Sequence, residues 1–404
     1  MQPAMTAAPQ RAAPLWPAYV ATFTFMLGQW ASGVAIPLHV QLLGGSLADA
    51  GLLASVRFGL QAFLQLPFGA LADAWGTRRV LLLAVVGNVL VNLVPLTAVA
   101  LDSIAPLFLW ALLSGVTASL FLPAISAYVA VTAPEHARGS AFGWVTLFTH
   151  TGVAAGPAIG GLAWDWGGPT ATYLTSSILG TTAVVGPLFV ARSMRTSLRL
   201  GQLPRMIGGV ARERAIVGSW VAALAIGLPW GAVAGLFPLF GTGLGLAAGT
   251  VGLLLAAQSL ANGASRVPLG RLIDRSRISP VAAAIAAVAY AALIATLGLQ
   301  TGVPGILAVL VVGIVALAFT LMMVQVTISQ VAAPELRATG LGGYGTALSA
   351  GLGIGPFIAG GVADAGGFGL GFGVIGAVGV TVGLAAILVL AGVRSRPPVK
   401  VEAQ

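Results

Sequence analysis

The chain has 404 residues, of which nineteen are Lys or Arg and ten are Asp or Glu, so 7% is charged where a soluble protein carries roughly a quarter. Apolar residues reach 58%, glycine 56 residues and mean hydropathy +0.99, which excludes a water-soluble globule, a disordered chain and most soluble enzymes. There is no cysteine, so disulfides, thiolate metal sites and a cysteine nucleophile are excluded too.

A helix that crosses roughly 30 Å of hydrocarbon at about 1.5 Å per residue needs about 20 apolar residues. Runs of that kind predict an all-α membrane protein with twelve spans, at about 15–42, 50–72, 80–101, 104–131, 139–163, 169–191, 215–240, 247–272, 279–299, 303–332, 338–363 and 367–393. The first run is too long for a signal-peptide core and carries Gln29 at its centre, so it is expected to be retained. With the N-terminus inside, Arg11, Arg78, Arg79, Arg138, the arginines of 192–214, Arg271, Arg275, Arg277, Arg337, Arg394, Arg396 and Lys400 all fall in cytoplasmic segments. The outer connections hold Asp49, Asp102, Asp165 and Asp364 and no Lys or Arg. This positive-inside pattern predicts a multi-pass protein of the cytoplasmic (inner) membrane with both termini cytoplasmic. The net charge of +9 therefore reports topology and contact with anionic lipid and calls for no nucleic-acid partner.

Between spans six and seven, residues 192–214 combine six arginines with Leu198, Leu200, Leu203, Met206 and Ile207, while Pro204 prevents one long helix. The segment is expected to lie along the inner membrane surface or to be a solvated linker. It divides the chain into an N-terminal six-helix bundle (1–191) and a C-terminal one (215–404).

The bundles repeat. Pro67, Gly69, Leu71 and Asp73 at the end of span two recur as Pro268, Gly270, Leu272 and Asp274 at the end of span eight, a shift of 201. Pro134-Glu135 recurs as Pro334-Glu335, Gly156-Pro157 as Gly355-Pro356, and Trp30 as Trp230. Because each half has six spans and starts inside, the repeat is parallel, about an axis along the membrane normal.

These residues resemble the major facilitator superfamily. Its loop signature between spans two and three, G-x-L-a-D-r-x-G-r-r, is matched by Gly69, Leu71, Asp73, Gly76, Arg78 and Arg79. The span-five motif of its drug:proton antiporter branch, G-x-x-x-G-P-x-x-G-G, is matched by Gly152, Gly156, Pro157, Gly160 and Gly161. The resemblance implies two pseudo-symmetric bundles rocking about a midplane cavity, and export. Two features of that branch are absent: Ala111 stands where an Arg is usual, four residues before Gly115, and no carboxylate lies inside a span.

The resemblance makes Gly69, Asp73, Gly76, Arg78 and Arg79 a conformational switch. Asp73 would meet the start of span eleven when the cytoplasmic side is closed, with Gly270 and Asp274, beside Arg271 or Arg275, as the weaker copy. Gly152, Gly156, Pro157, Gly160 and Gly161, with Gly355 and Pro356, would pack and hinge helices.

Intramembrane polar groups are the binding candidates. Arg57, Gln61 and Gln65 follow at four-residue spacing on one face of span two, and the shift of 201 maps them onto Gln258, Asn262 and Arg266 of span eight. Arg57 suits an anionic substrate group, an outer gate or a structural hydrogen bond. Trp30 and Trp230 lie near mid-membrane in spans one and seven, where Gln29, Gln325, Met322, Met323 and Tyr344 would complete a cavity. His150, at mid-span five, is open to a proton-coupling role or to a neutral hydrogen bond.

Gly371 to Gly376 spell G-x-G-x-x-G inside span twelve with no strand before them, so they mark a packing face and not a nucleotide site. No cofactor or metal site and no catalytic set can be assembled in the interior. The function expected is secondary transport by a monomer: export of small amphipathic or apolar compounds, with protons as the coupling ion in the antiporter reading. The alternatives are uptake or facilitated passage of an anionic metabolite, and lipid or lysolipid flipping. A sensor or scaffold would need a further domain to pass a signal.

Overall fold

The computed structural model describes residues 14–134, 137–189, 208–210, 212–276, 278–333 and 336–393, except the side chains of 66, 69, 70, 72–74 and 338. Every regular element among them is helical. The N-terminal half opens with α1 (Trp16–Leu42), α2 (Leu47–Trp75), α3 (Thr77–Leu101) and α4 (Ala105–Thr132). The C-terminal half opens with α7 (Arg214–Gly243), α8 (Ala248–Arg275), α9 (Val281–Ala295, prolonged by a 3₁₀ turn at Leu297–Leu299) and α10 (Val303–Val331).

Two longer helical runs, Arg138–Thr181 and Arg337–Leu390, each contain a pair of glycines with non-helical backbone, Gly167-Gly168 and Gly366-Gly367. In a straight helix Gly160 and Thr172 would stand about 18 Å apart. Instead the Thr172 hydroxyl donates to the Gly160 carbonyl at 3.3 Å, so the chain reverses between them. A Cβ placed on Gly371 would likewise sit 2.7 Å from the Ala359 carbonyl oxygen. Each run is thus two antiparallel spans: α5 (138–166) with α6 (169–189), and α11 (337–365) with α12 (368–390). The total is the expected twelve. The linker 192–207, with Arg192, Arg195, Arg199 and Arg205, lies outside the described residues, as do Glu135 and Glu335.

Within each half, glycine rows bring backbones together. Gly152 and Gly156 pack on α1, where an added Cβ would lie 2.6 Å from the Phe23 carbonyl oxygen or 2.8 Å from the Trp30 Cβ. Gly160 meets Ala31 of the same helix. In the second half Gly351 and Gly355 pack in the same way on Gly227 and Leu228 of α7. Between the halves, α2 packs on α11 and α5 on α8. There Gly51 faces the Pro356 carbonyl, Gly252 the Pro157 carbonyl, Gly161 the Ala248 carbonyl and Gly360 the Leu47 carbonyl, contacts that leave no room for a side chain. Such approaches supply the dispersion contact that holds helices together where lipid removes the hydrophobic drive.

The apolar core is shared at one end and divided at the other. Near the end that carries Asp49, Asp102, Asp165 and Asp364, one cluster joins both halves, including Val34, Leu38 and Leu53 with Leu236, Phe240 and Phe372. Toward the arginine-rich end it separates into a cluster of the first half around Phe25, Phe121 and Tyr128 and a cluster of the second half around Ile216, Val324 and Leu390.

Gly168 (φ 63°, ψ −152°) and Gly367 (φ 78°, ψ 175°) occupy backbone that is open almost solely to glycine. Gly168→Ala and Gly367→Ala should each cost about 1–3 kcal/mol, read as a lower unfolding temperature of the purified protein. Gly373→Ala, which meets open space inside α12, should leave that temperature unchanged or raise it.

Candidate functional site

Between the halves lies a cavity of about 380 Å³. Its walls come from α1, α2, α4 and α5 on one side and α7, α8, α10 and α11 on the other, so the pseudo-symmetry of the sequence becomes two facing walls. The less apolar helices supply much of it. Seven helical stretches are long and apolar enough by composition alone to cross a membrane, and α1, α8 and the run 138–181 are not among them.

Of the residues expected to bind substrate, Gln29, Trp30, Arg57, Gln61, Trp230, Gln258, Asn262 and Tyr344 all line this cavity, and His150 lines it from α5. Gln325 does not; its amide donates to the Tyr344 hydroxyl at 3.2 Å and so holds that ring from behind. Gln29 is tied back, its amide donating to the Ser114 hydroxyl at 3.4 Å. Arg266 donates through Nε to the Asn262 side-chain oxygen at 3.3 Å. His150 stands against α8, near Gly263 and within electrostatic reach of Arg266.

Arg57 departs from the structural hydrogen bond considered for it. It is 6% exposed, and its guanidinium lies 5.7, 5.1 and 5.4 Å from the ring centres of Trp30, Phe58 and Trp110. Its Nε has no acceptor, and among the described residues no Asp or Glu lines the cavity. Phe58 and Trp110 were not among the expected site residues, because in sequence they are ordinary members of apolar runs. The α2 backbone can come close to α4 because Gly115 faces the Arg57 carbonyl, 2.7 Å from where a Cβ would be.

The switch residues are less complete. The side chains of Gly69 and Asp73 lie outside those described. Gly76 caps α3 with φ 89°, a conformation suited to glycine, and Arg78 and Arg79 follow it, half-buried and exposed. A Cβ added to Gly270 would lie 3.4 Å from the Met322 methyl, in its own half. Asp274 is exposed, and among the described residues it forms no ion pair with Arg271 or Arg275, so the expected second copy of the switch is unmade in this state. The hinge residues divide in two: Gly152, Gly156, Gly160 and Gly355 hold each half together, whereas Pro157, Gly161 and Pro356 sit on the boundary between halves.

That boundary is closed by two carboxylates that the sequence marks only as outer-loop charges. Asp165, at the end of α5, accepts hydrogen bonds from the Ala248 and Gly249 amides at 3.0 and 2.8 Å, at the N-terminus of α8. Asp364, at the end of α11, accepts from the Leu47 and Ala48 amides at 2.8 and 2.9 Å, at the N-terminus of α2. The first amides of a helix lack internal partners and carry the positive end of its dipole, so a bidentate carboxylate satisfies both needs at once. The two contacts are copies of each other, with carboxylates 199 and amides 201 residues apart, and each bridges the halves.

The family model of the Major Facilitator Superfamily matches residues 18–342 and, separately, 219–404. The chain is 27% identical over 144 residues to quinolone resistance protein NorA of Staphylococcus aureus (strain MRSA252), which is 35% of this chain and 36% of that one. It is 28% identical over 274 residues to multidrug resistance protein MdtG of Enterobacter lignolyticus (strain SCF1), 64% of this chain and 63% of that one. These matches span about a third and just under two thirds of the two relatives. Among solved structures, nucleoside transporter NupG superposes with a TM-score of 0.73 at 13% identity, covering 93% of this chain and 98% of that one. A bacterial homolog of the human lysosomal transporter Spinster, inward-facing and unoccupied, superposes with 0.68 at 15% identity, covering 95% of each chain. At these identities the likeness is one of fold.

Removing both closing carboxylates should release the acidic end. Each of Asp165→Asn and Asp364→Asn weakens closure by about 1 kcal/mol, so the double variant should shift the population toward opening there by roughly tenfold or more. The chain has no native cysteine, so spin labels on cysteines introduced at the exposed positions Leu42 and Leu299 can report the distance across that end. An unchanged distance distribution in the double variant would remove the closing role.

Proposed function

Because the chain belongs to the Major Facilitator Superfamily, we propose that it is a secondary transporter that exports small amphipathic or apolar compounds across the cytoplasmic membrane by alternating access. The observation that carries this reading is the asymmetry of the boundary between the halves. The halves share a core and two carboxylate clamps at the acidic end, and their cores separate at the arginine-rich end, with the cavity between. With the arginines on the cytoplasmic side, as positive-inside bias requires, this is a state that loads from the cytoplasm. Opening at the other face requires the glycine contacts of α2 with α11 and of α5 with α8 to separate, which is a rocking of intact halves. The similarity to NorA and MdtG, a quinolone resistance and a multidrug resistance protein, favours outward movement of foreign compounds.

Both cavity walls come from one chain, and we read the working unit as a monomer with anionic lipid at its arginine-rich face. For proton coupling the assignment is His150. It lines the cavity at the α5–α8 boundary, which rocking must separate, and among the described residues no carboxylate lines that cavity. The cytoplasmic switch at Asp73, Arg78 and Arg79 is assigned to the opposite, outward-open state.

In inside-out vesicles containing the protein, a fluorescent amphipathic compound should accumulate faster than in empty vesicles, and an imposed proton gradient should raise that rate several-fold. His150→Ala should abolish the gradient effect while binding persists. Flux that ignores the gradient would remove the antiport assignment; flux equal to that of empty vesicles would remove the transport reading.

A further inference from the structure

Arg57 Nε, Trp110 Nε1 and Gln258 Nε2 belong to residues that line the cavity, and each is a buried donor without an acceptor. A buried guanidinium without a counter-charge is costly, as is each unpaired donor. The three rings around Arg57 do not relieve this: a ring attracts the cation through its face, whereas the guanidinium N–H groups point outward in the guanidinium plane. The cage therefore holds the group in place and leaves its donors unused.

The next charge has the same sign. Arg266, on the facing half, is bonded to the lining residue Asn262, and among the described residues no carboxylate lines the wall. A cation entering there would meet Arg57 in a low-dielectric site with nothing negative to offset it. Around this basic spot the lining is apolar, with Trp30, Trp230, Val233, Leu255 and Leu352.

We infer that the cavity is an organic-anion site, taking an amphipathic carboxylate whose head meets the Arg57 guanidinium and the Trp110 indole N–H while its apolar body lies toward Trp30 and Trp230. The inference deepens the transport reading by naming the substrate class, and it rests on that reading. Arg57 acts as the specificity-determining residue: a planar fork of donors suits a carboxylate in two-point contact better than it suits a neutral amide.

The test is equilibrium binding to the purified full chain of three probes with one ring system and different charge: 2-naphthoate, 2-naphthamide and 2-naphthylmethylammonium. The readout is titration calorimetry, with tryptophan fluorescence as a second signal. Naphthoate should bind roughly tenfold or more tighter than the amide, as expected for a hydrogen bond to a charged group, and the ammonium weakest of all. Arg57→Gln should abolish the difference between naphthoate and amide, Arg57→Lys should restore part of it, and Trp110→Phe should weaken naphthoate alone. Equal or tighter binding of the amide or the ammonium, an undiminished anion preference in Arg57→Gln, or no binding of any probe would overturn the inference. Binding needs no flux, so the two readings fail separately. A chain that prefers the anion but transports nothing removes the transport reading; one that transports but prefers the cation removes the anion site.

Discussion

Everything in this protein depends on the absence of a hydrophobic drive between helices in lipid. Lipid tails are as apolar as leucine, so association must come from close backbone contact and a few polar groups. Glycine supplies the contact, and its placement ties stability to motion. On α5, Gly156 packs against α1 of its own half, while Gly161, five residues on, packs against α8 of the other half. On α11, Gly355 packs against α7 and Gly360 against α2, with the same interval. The helices that bind each bundle together are therefore also the surfaces on which the bundles meet. A bundle built on backbone contact moves as a rigid body, because there are few flexible side chains in its seams to absorb a displacement.

Against that apolar background each charge has a distinct consequence. Asp165 and Asp364 bond to amides that open to water once the halves part, so closure exchanges one set of hydrogen bonds for another and stays reversible. Using backbone amides in place of arginine keeps the acidic end free of positive charge, in keeping with the topology. Arg57 is the opposite case. It is buried within its own half between rings of α1, α2 and α4, on a residue that lines the cavity.

The fold was legible because span length, arginine placement and the repeat at about 200 residues are one-dimensional signals. Even the two spans fused into each long helical run are separated in sequence by glycine pairs. The cavity was legible in part for the same reason. Gln29, Trp30, Arg57, Gln61, Gln258 and Asn262 are polar or indole groups at mid-span, and in lipid such groups need a non-lipid environment, so they converge. Trp110 and Phe58 gave no such signal, because an aromatic in an apolar run faces lipid, core or cavity with equal ease. Gln325, polar at mid-span too, is exposed and donates to the Tyr344 hydroxyl without lining the cavity.

The sequence by itself determined that the chain lies in a membrane, how many times it crosses, and that its halves are copies, since burying backbone in hydrocarbon leaves helices of fixed length as the solution. Tertiary structure decided which end of the boundary is closed and what the interior charge faces. Asp165 and Asp364 are loop charges until helices from opposite halves present their N-termini to them. Arg57 is a lone cation in an apolar run until packing encloses it in the rings of Trp30, Phe58 and Trp110. The clamps join residues more than eighty positions apart in the chain, and no local pattern encodes that proximity.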